Sequence, residues 1–278
     1  MPKYSGAFPI FVMFFVFSCI GLTGCGGQLS DVNVFSDEEE LQLGKQFADE
    51  IEKEVKIYDD PMITNYIVEL GQRLAKHSRR SNITYHFKVV DTEAVNAFAL
   101  PGGYLYVNLG LIRAAENESE LAGVIGHEIG HVVGKHGAEQ LTKQLGIAAL
   151  AQLVLGKDPN KIAELAAGIV ATGAMMKYSR DAERESDAFA VEEMYGAGID
   201  PEGMATFFEK LFQMQKSQPS QIEQIFSTHP PTQERVVNVR AHIAKLPPKP
   251  NLTKDSQRFQ QIKRRLPPPK KQEQQKGS

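Results

Sequence analysis

"GVIGHEIGHVVGKH" runs from Gly123 to His136 and holds three of the chain's seven histidines and four of its 23 glycines. The stretch reads as helix, yet glycine is about 1 kcal/mol worse than alanine inside a helix. His127 and His131 are four residues apart, so a helix sets them one above the other on a single face. Two imidazoles so placed can hold one zinc ion. Glu128 falls about 100° further round the helix. It is thus beside the metal rather than on it, where a carboxylate can take a proton from water. This is the HExxH arrangement of zinc hydrolases. Gly123, Gly130 and Gly134 fall on the histidine side of the wheel. They are expected to clear space for a third ligand, a neighbouring backbone and a substrate. Leu121, Val124, Ile125, Ile129, Val132 and Val133 make the rest apolar nearly all round, which suits a buried helix. The competing reading is a pair of histidines satisfied within an ordinary core.

A catalytic zinc commonly has three protein ligands and an open position, so the chain must supply one more. "AERESDAFA" carries Glu183 and Asp187, again four apart and on one helical face. Glu183 can reach the metal. Asp187 can accept a hydrogen bond from the free ring nitrogen of a histidine ligand and fix its orientation. Glu185 lies on another face and is the weaker candidate. Two acids on a helix would ordinarily be a solvated surface, but Ala182, Ala188, Phe189 and Ala190 mark this segment as partly buried.

Outward from these two helices the pattern is mixed. Ser36 and Glu39 fit a capping box opening a helix through Leu43, Phe47 and Ile51. A second helix is expected near residues 61–77. "ITYHFKVVD" alternates as a strand, and "AVNAFALPGGYLYVNLGLI" reads as strand, Pro-Gly-Gly turn, strand. Asn117 with Glu120 is expected to cap the HExxH helix. The apolar stretches "LGIAALAQLVLG" and "KIAELAAGIVATGAMM" are read as buried helices or a cover over the site. Helices follow over 178–198 and 201–215. "STHPPTQERVVNVRAHIAKL" reads as a rigid loop, with Ser227 and Thr228 favouring a turn, followed by a helix. There is no internal repeat.

The chain has 278 residues, 42% of them hydrophobic, enough for one core of ordinary size. A net charge of -3 gives no reason to expect a nucleic-acid partner. The first residues read differently from the rest. Lys3, the apolar run "AFPIFVMFFVFSCIGL" and then "LTGC" have the order of a secretory signal. "LTGC" also resembles a bacterial lipobox. That resemblance implies a lipid on Cys25 as the first mature residue, and Gly26 after it implies the outer membrane. The only other cysteine, Cys19, would leave with the signal, so no internal disulfide is expected. The expected organisation is a lipoprotein signal over 1–24, a tether over 25–35, a zinc peptidase domain over 36–266 and a basic, proline-rich disordered tail over 267–278.

Taken together, "HEIGH", "SRDAERESD", "STHPPTQER" and the strand pair "NAFALPGGYLYV" resemble the HtpX/BepA-type zinc metallopeptidases, relatives of the CAAX prenyl endopeptidases. The resemblance covers residues 36–266. It implies an α+β fold: a mostly helical, zincin-like domain with a small β-sheet. It also implies one Zn2+ per chain on His127, His131 and Glu183, with Glu128 as base. The membrane helices of the HtpX type and the helical repeat of BepA are not evident, and the small bacterial lipoprotein members are the nearest match. The expected reaction is hydrolysis of internal peptide bonds in unfolded or misassembled envelope proteins, by an enzyme facing the periplasm. The substrate is expected to lie along a strand edge at Asn96, Ala97, Phe98 and Ala99. The same likeness puts His229 near the zinc, as an oxyanion donor or as a displaceable latch on the open position. The rival reading is a periplasmic chaperone or outer-membrane assembly factor with a largely latent zinc site.

Overall fold

A computed structural model describes residues 35–173, 177–230 and 232–269. The expected signal, Cys25 and most of the expected tail lie outside these. Helices α1 (Asp37–Glu54) and α2 (Pro61–Ala75) precede strands β1 (His86–Val90), β2 (Ala97–Leu100) and β3 (Tyr104–Asn108). Helix α3 (Leu109–Ala114) leads into α4 (Glu118–Val133), which carries the histidine pair. There follow α5 (His136–Leu145), α6 (Ile147–Val154), α7 (Pro159–Thr172), α8 (Arg180–Gly196) and α9 (Glu202–Ser217). The last three are α10 (Pro219–Thr228), α11 (Gln233–Ile243) and α12 (Gln257–Arg265). The architecture is the expected α+β arrangement, helical with one small sheet.

Local chemistry sets the boundaries. Ser36 Oγ accepts from Glu39 N at 3.2 Å and Glu39 Oε2 accepts from Ser36 N at 2.9 Å, a closed capping box at the start of α1. Asn117 Oδ1 accepts from Glu120 N at 3.0 Å, but the box on α4 does not close. The Glu120 carboxylate instead accepts from Glu116 N at 2.7 Å and pairs with Lys210. Ser227 and Thr228 are the last residues of α10, not a turn: Thr228 Oγ1 donates back to Gln224 O at 2.9 Å. The helix over 219–228 was not expected from the sequence.

The sheet order is β1-β3-β2, with β1 parallel and β2 antiparallel to β3. The Pro-Gly-Gly turn joins β2 to β3. Gly102 has φ 72°, and a Cβ there would stand 2.6 Å from Leu41 Cα, so α1 rests directly on the turn. Arg80 ties the same corner together. It donates to Val132 O at 2.7 Å near the end of α4 and pairs at 2.9 Å with buried Glu40 of α1.

Two apolar layers cover the sheet. Ala97, Ala99, Leu105 and Val107 face the main core with α2, α4, α8, α9 and α12. Phe98, Leu100 and Tyr106 face a second cluster with Phe47 and Ile51 of α1, Leu150 and Leu153 of α6, and Ile162 and Ile169 of α7. This alternation is that of a strand covered on both sides. Helices α6 and α7 are therefore half-buried props on α1: Ile147 and Leu155 are exposed, and only one face of each helix turns inward. Among the described residues no helix is long and apolar enough to cross a membrane.

The glycines of α4 set its distance from its neighbours. A Cβ on Gly130 would sit 2.8 Å from Ser186 O, and one on Gly126 3.3 Å from Ala190 Cβ, both on α8. A Cβ on Gly123 would sit 2.9 Å from Met204 Cα on α9. Helix backbones approach this closely only where side chains are missing. The about 1 kcal/mol cost of each glycine is offset by bringing α8, and with it Glu183, against the histidine face.

Candidate metal centre

Four side chains converge between α4, α8 and the end of α10. His127 Nε2 and His131 Nε2 are 3.0 Å apart. Glu183 reaches across from α8, with Oε2 3.5 Å from His127 Nε2 and Oε1 3.4 Å from His131 Nε2. His229 closes the group: its Nδ1 is 3.2 Å from His127 Nε2 and 3.0 Å from Glu183 Oε1. One donor atom from each of the four lies within 4.8 Å of all the others, and all four residues are buried. Three imidazole nitrogens and a carboxylate oxygen are a donor set suited to zinc. Nε2 of His229 is buried without a hydrogen-bond partner among the described residues.

The electrostatics favour a cation at this point. Burial alone would raise the Glu183 carboxyl. The charge of His229 and hydrogen bonds from His127, His131 and His229 outweigh it and hold the group well below the usual carboxylate range. Burial opposes a charged His127, but hydrogen bonds to Asp187 and Glu183 prevail and push it up to about 9. Glu128 is also buried. Desolvation raises its carboxyl, against the opposing charges of His229 and His127. Its Oε1 is 3.7 Å from His229 Nε2, so it borders the cluster without joining it.

A second layer holds these residues in place. Asp187 Oδ1 is 2.9 Å from His127 Nδ1, the relation expected for it. Arg235 of α11 grips Asp187 with two hydrogen bonds, Nε to Oδ2 at 2.8 Å and Nη2 to Oδ1 at 2.7 Å. Its Nη1 lies 2.7 Å from Glu183 Oε2, and its guanidinium stands 4.4 Å from the Phe208 ring centre. His136 does for His131 what Asp187 does for His127: the two Nδ1 atoms are 2.9 Å apart. Glu185 touches only the far side of His136, at 3.2 Å, which accounts for its weaker claim. Tyr178 stacks on His131, with ring centres 3.9 Å apart.

Arg235, His136 and Tyr178 were not assigned from the sequence. His136 lies within the opening stretch but beyond the helix that carries its neighbours. Gly134 lets the chain turn there, since a Cβ would stand 2.4 Å from the His136 ring, and Lys135 takes a left-handed φ of 54°. Arg235 is in the quoted "STHPPTQER", one turn into a helix capped by Thr232. Nothing in its spacing announces a contact with Asp187, 48 residues away.

The expected substrate strand is β2 with Asn96 before it. Asn108 N donates to Asn96 O at 3.1 Å, which makes that pair a hydrogen-bonded one. By the alternation of antiparallel ladders, Ala97 and Ala99 then turn their main-chain groups to the outer edge. That edge is covered. Asn96, Ala97, Phe98 and Ala99 are 0–6% exposed, the Ala99 N–H donates to Glu128, and Asn96 Nδ2 donates to Gly173 O at 2.6 Å. Phe98 stacks on Tyr106 at 4.9 Å, inside the second core.

Sequence comparisons identify the family. The model of peptidase family M48 matches residues 61–243. The chain is 32% identical over 211 residues to the beta-barrel assembly-enhancing protease of Escherichia coli (strain K12), covering 73% of this chain and 43% of that protein. It is 32% identical over 182 residues to metalloprotease YcaL of the same organism, covering 63% of this chain and 70% of that one. It is 34% identical over 183 residues to mitochondrial metalloendopeptidase OMA1 of Arabidopsis thaliana, covering 66% and 36%. The chain thus spans less than half the length of the assembly-enhancing protease it matches.

Proposed function

The chain belongs to the metalloendopeptidases of peptidase family M48, and from that premise we propose a zinc-dependent endopeptidase of the bacterial cell envelope that is latent in the form described. His127, His131 and Glu183 hold the ion. A zinc ion so held supplies Lewis acidity, acidifying water and polarising a peptide carbonyl. Glu128 accepts a proton from water and passes it to the leaving amine, a role its raised carboxyl suits. Asp187 and Arg235 fix His127, and His136 fixes His131. His229, the fourth donor of the group, would act as a latch. The observation that carries this reading is the place of His229 Nδ1, within 3.2 Å of both His127 Nε2 and Glu183 Oε1.

Displacement of the loop after α10 would take His229 away from His127 and Glu183 and leave room there for a substrate. Once Ala97 and Ala99 are also uncovered, an extended substrate can add to the β2 edge. Such main-chain recognition tolerates many sequences and favours unfolded or misassembled envelope proteins. The likeness to an assembly-enhancing protease supports that substrate class. The sequence supports a lipid on Cys25, an outer-membrane anchor facing the periplasm, and the domain limits 36–266.

The experiment is hydrolysis of casein and of an unfolded envelope protein by zinc-loaded enzyme, with and without chelator, beside metal analysis. Chelator-sensitive cleavage is expected. Glu128→Gln is expected to retain zinc and to lose activity by about 10²–10⁴-fold. Full activity of Glu128→Gln with zinc bound would remove Glu128 as the base. The closed, four-residue donor set favours one second reading, an assembly factor whose zinc is purely structural. Zinc-loaded protein that cleaves nothing, even after His229→Ala, would establish that alternative.

A further inference from the structure

A cavity of about 410 Å³ opens beside the cluster, between the start of α8 and the loop before α11. Glu183 and Arg235 form part of its wall, so it is continuous with the residues that would hold the metal. Tyr178, whose ring covers His131, and Pro230, next to His229, give it apolar sides. Its remaining charge is unbalanced. Arg235 is engaged by Asp187 and Glu183. Arg184, also in the lining, is engaged by Asp181 and by Glu234 at 3.1 Å. Lys177 and Arg180 also line the cavity, are exposed, and have no ion-pair partner among the described residues. Arg180 precedes Glu183 by three residues on the same helix, so the two share a face.

We propose that this cavity is a specificity subsite for an acidic side chain within two residues of the scissile bond. The inference rests on the peptidase reading above. An aliphatic stem lies along Tyr178, which is outside the loop that carries His229, and the carboxylate at its tip meets Lys177 and Arg180. A glutamate fits this better than an alkyl chain, which would leave two cations facing a neutral guest. It fits better than a lysine, which would add a third positive charge beside them. Because the cations are at a solvent-reached rim, the preference is moderate and weakens with salt. Main-chain pairing at β2 would supply general affinity, and this cavity would choose the register.

The test uses zinc-loaded full-length enzyme and a peptide series with Glu, Gln or Lys scanned through the positions on either side of one cleavage site. At one position, or at two adjacent ones, kcat/KM should be about tenfold higher for Glu than for Gln and lower again for Lys. The difference should fall mainly on KM and shrink between 50 and 500 mM salt, both experimental settings of about the range where screening changes. The double change Lys177→Glu with Arg180→Glu should reverse the order, while Lys177→Arg with Arg180→Lys should keep it. A flat series at every position, or an order that survives the charge reversal, overturns the proposal. A parallel measurement of fluorescence anisotropy reads binding of the same peptides to Glu128→Gln. If neither the wild type nor His229→Ala hydrolyses any peptide, the peptidase reading falls. The anisotropy ratio then decides the subsite alone, Glu over Gln supporting it and equal binding overturning it.

Discussion

His229 Nδ1 lies 3.0 Å from Glu183 Oε1, although 46 residues separate them. Glu183 is set by a helix packed tightly on α4, whereas His229 follows the end of α10 on a short loop. Of a donor set drawn from two packed helices and one loop, the part on the loop is the one most readily displaced. Replacing His229 with alanine is therefore expected to speed peptide hydrolysis at equal zinc occupancy. If one molecule in ten is open at rest, the gain is about tenfold. A large loss of rate would instead make His229 an oxyanion donor, and an unchanged rate would reject both roles.

Glu183 and Glu185 are two residues apart but belong to different layers. Glu183→Ala is expected to abolish tight zinc binding. Glu185→Ala, which touches only His136 from a half-exposed position, should weaken it by no more than the about 10–100-fold typical of outer partners. Metal titration against a competing chelator reads both. Equal tolerance of the two changes would remove Glu183 from the ligand set.

Arg235 is buried between Asp187 and Glu183. Arg235→Ala leaves two buried carboxylates facing each other, a loss of about 3–5 kcal/mol for a broken buried pair. The unfolding midpoint of the zinc-free protein should fall sharply. Added zinc should restore part of the loss, because the ion replaces the missing positive charge. A variant as stable as the wild type would show that Arg235 contributes nothing to the cluster.

The glycines of α4 and α7 predict opposite signs. Gly130→Ala forces a methyl to within 2.8 Å of Ser186 O and should cost about 1–3 kcal/mol by overpacking. It should also lower zinc affinity, by pushing Glu183 away. Gly168→Ala on α7 meets nothing within 4 Å and should stabilise by up to about 1 kcal/mol through helix propensity. Chemical denaturation of the two variants checks the pair. Stabilisation of both would mean that α4 and α8 are not held at contact distance.

The legible parts of the fold and the site are those written over short spans of sequence. The capping box of α1, the Pro-Gly-Gly turn and the alternation of β1 to β3 involve neighbours only. His127, Glu128 and His131 share one helix, as do Glu183 and Asp187, so helical period alone gave their faces. The relations that escaped the sequence cross between elements. His136 meets His131 only because Lys135 adopts a left-handed backbone, a conformation that lysine composition does not suggest. The Glu120 carboxylate has the spacing for a capping box but turns to Glu116 N and to Lys210, brought from 90 residues away. Arg235 reaches Asp187 from another helix. The cover over β2 depends on Gly173 and Glu128, neither of them adjacent to it in sequence.

The bare seam between α4 and α8 also governs how the centre responds to force. Where Gly126 and Gly130 bring the two helix backbones together, little side-chain bulk is left to change rotamer and absorb a displacement. The pair therefore acts as a stiff vice, and the compliance of the centre is concentrated in the loop that bears His229. A pull on that loop, from a client chain or from a neighbouring protein, would reach His229 first and then Arg235, whose Nη1 lies 3.5 Å from the carbonyls of His229 and Pro230. A centre so built would yield at its loop before it yields at its helices.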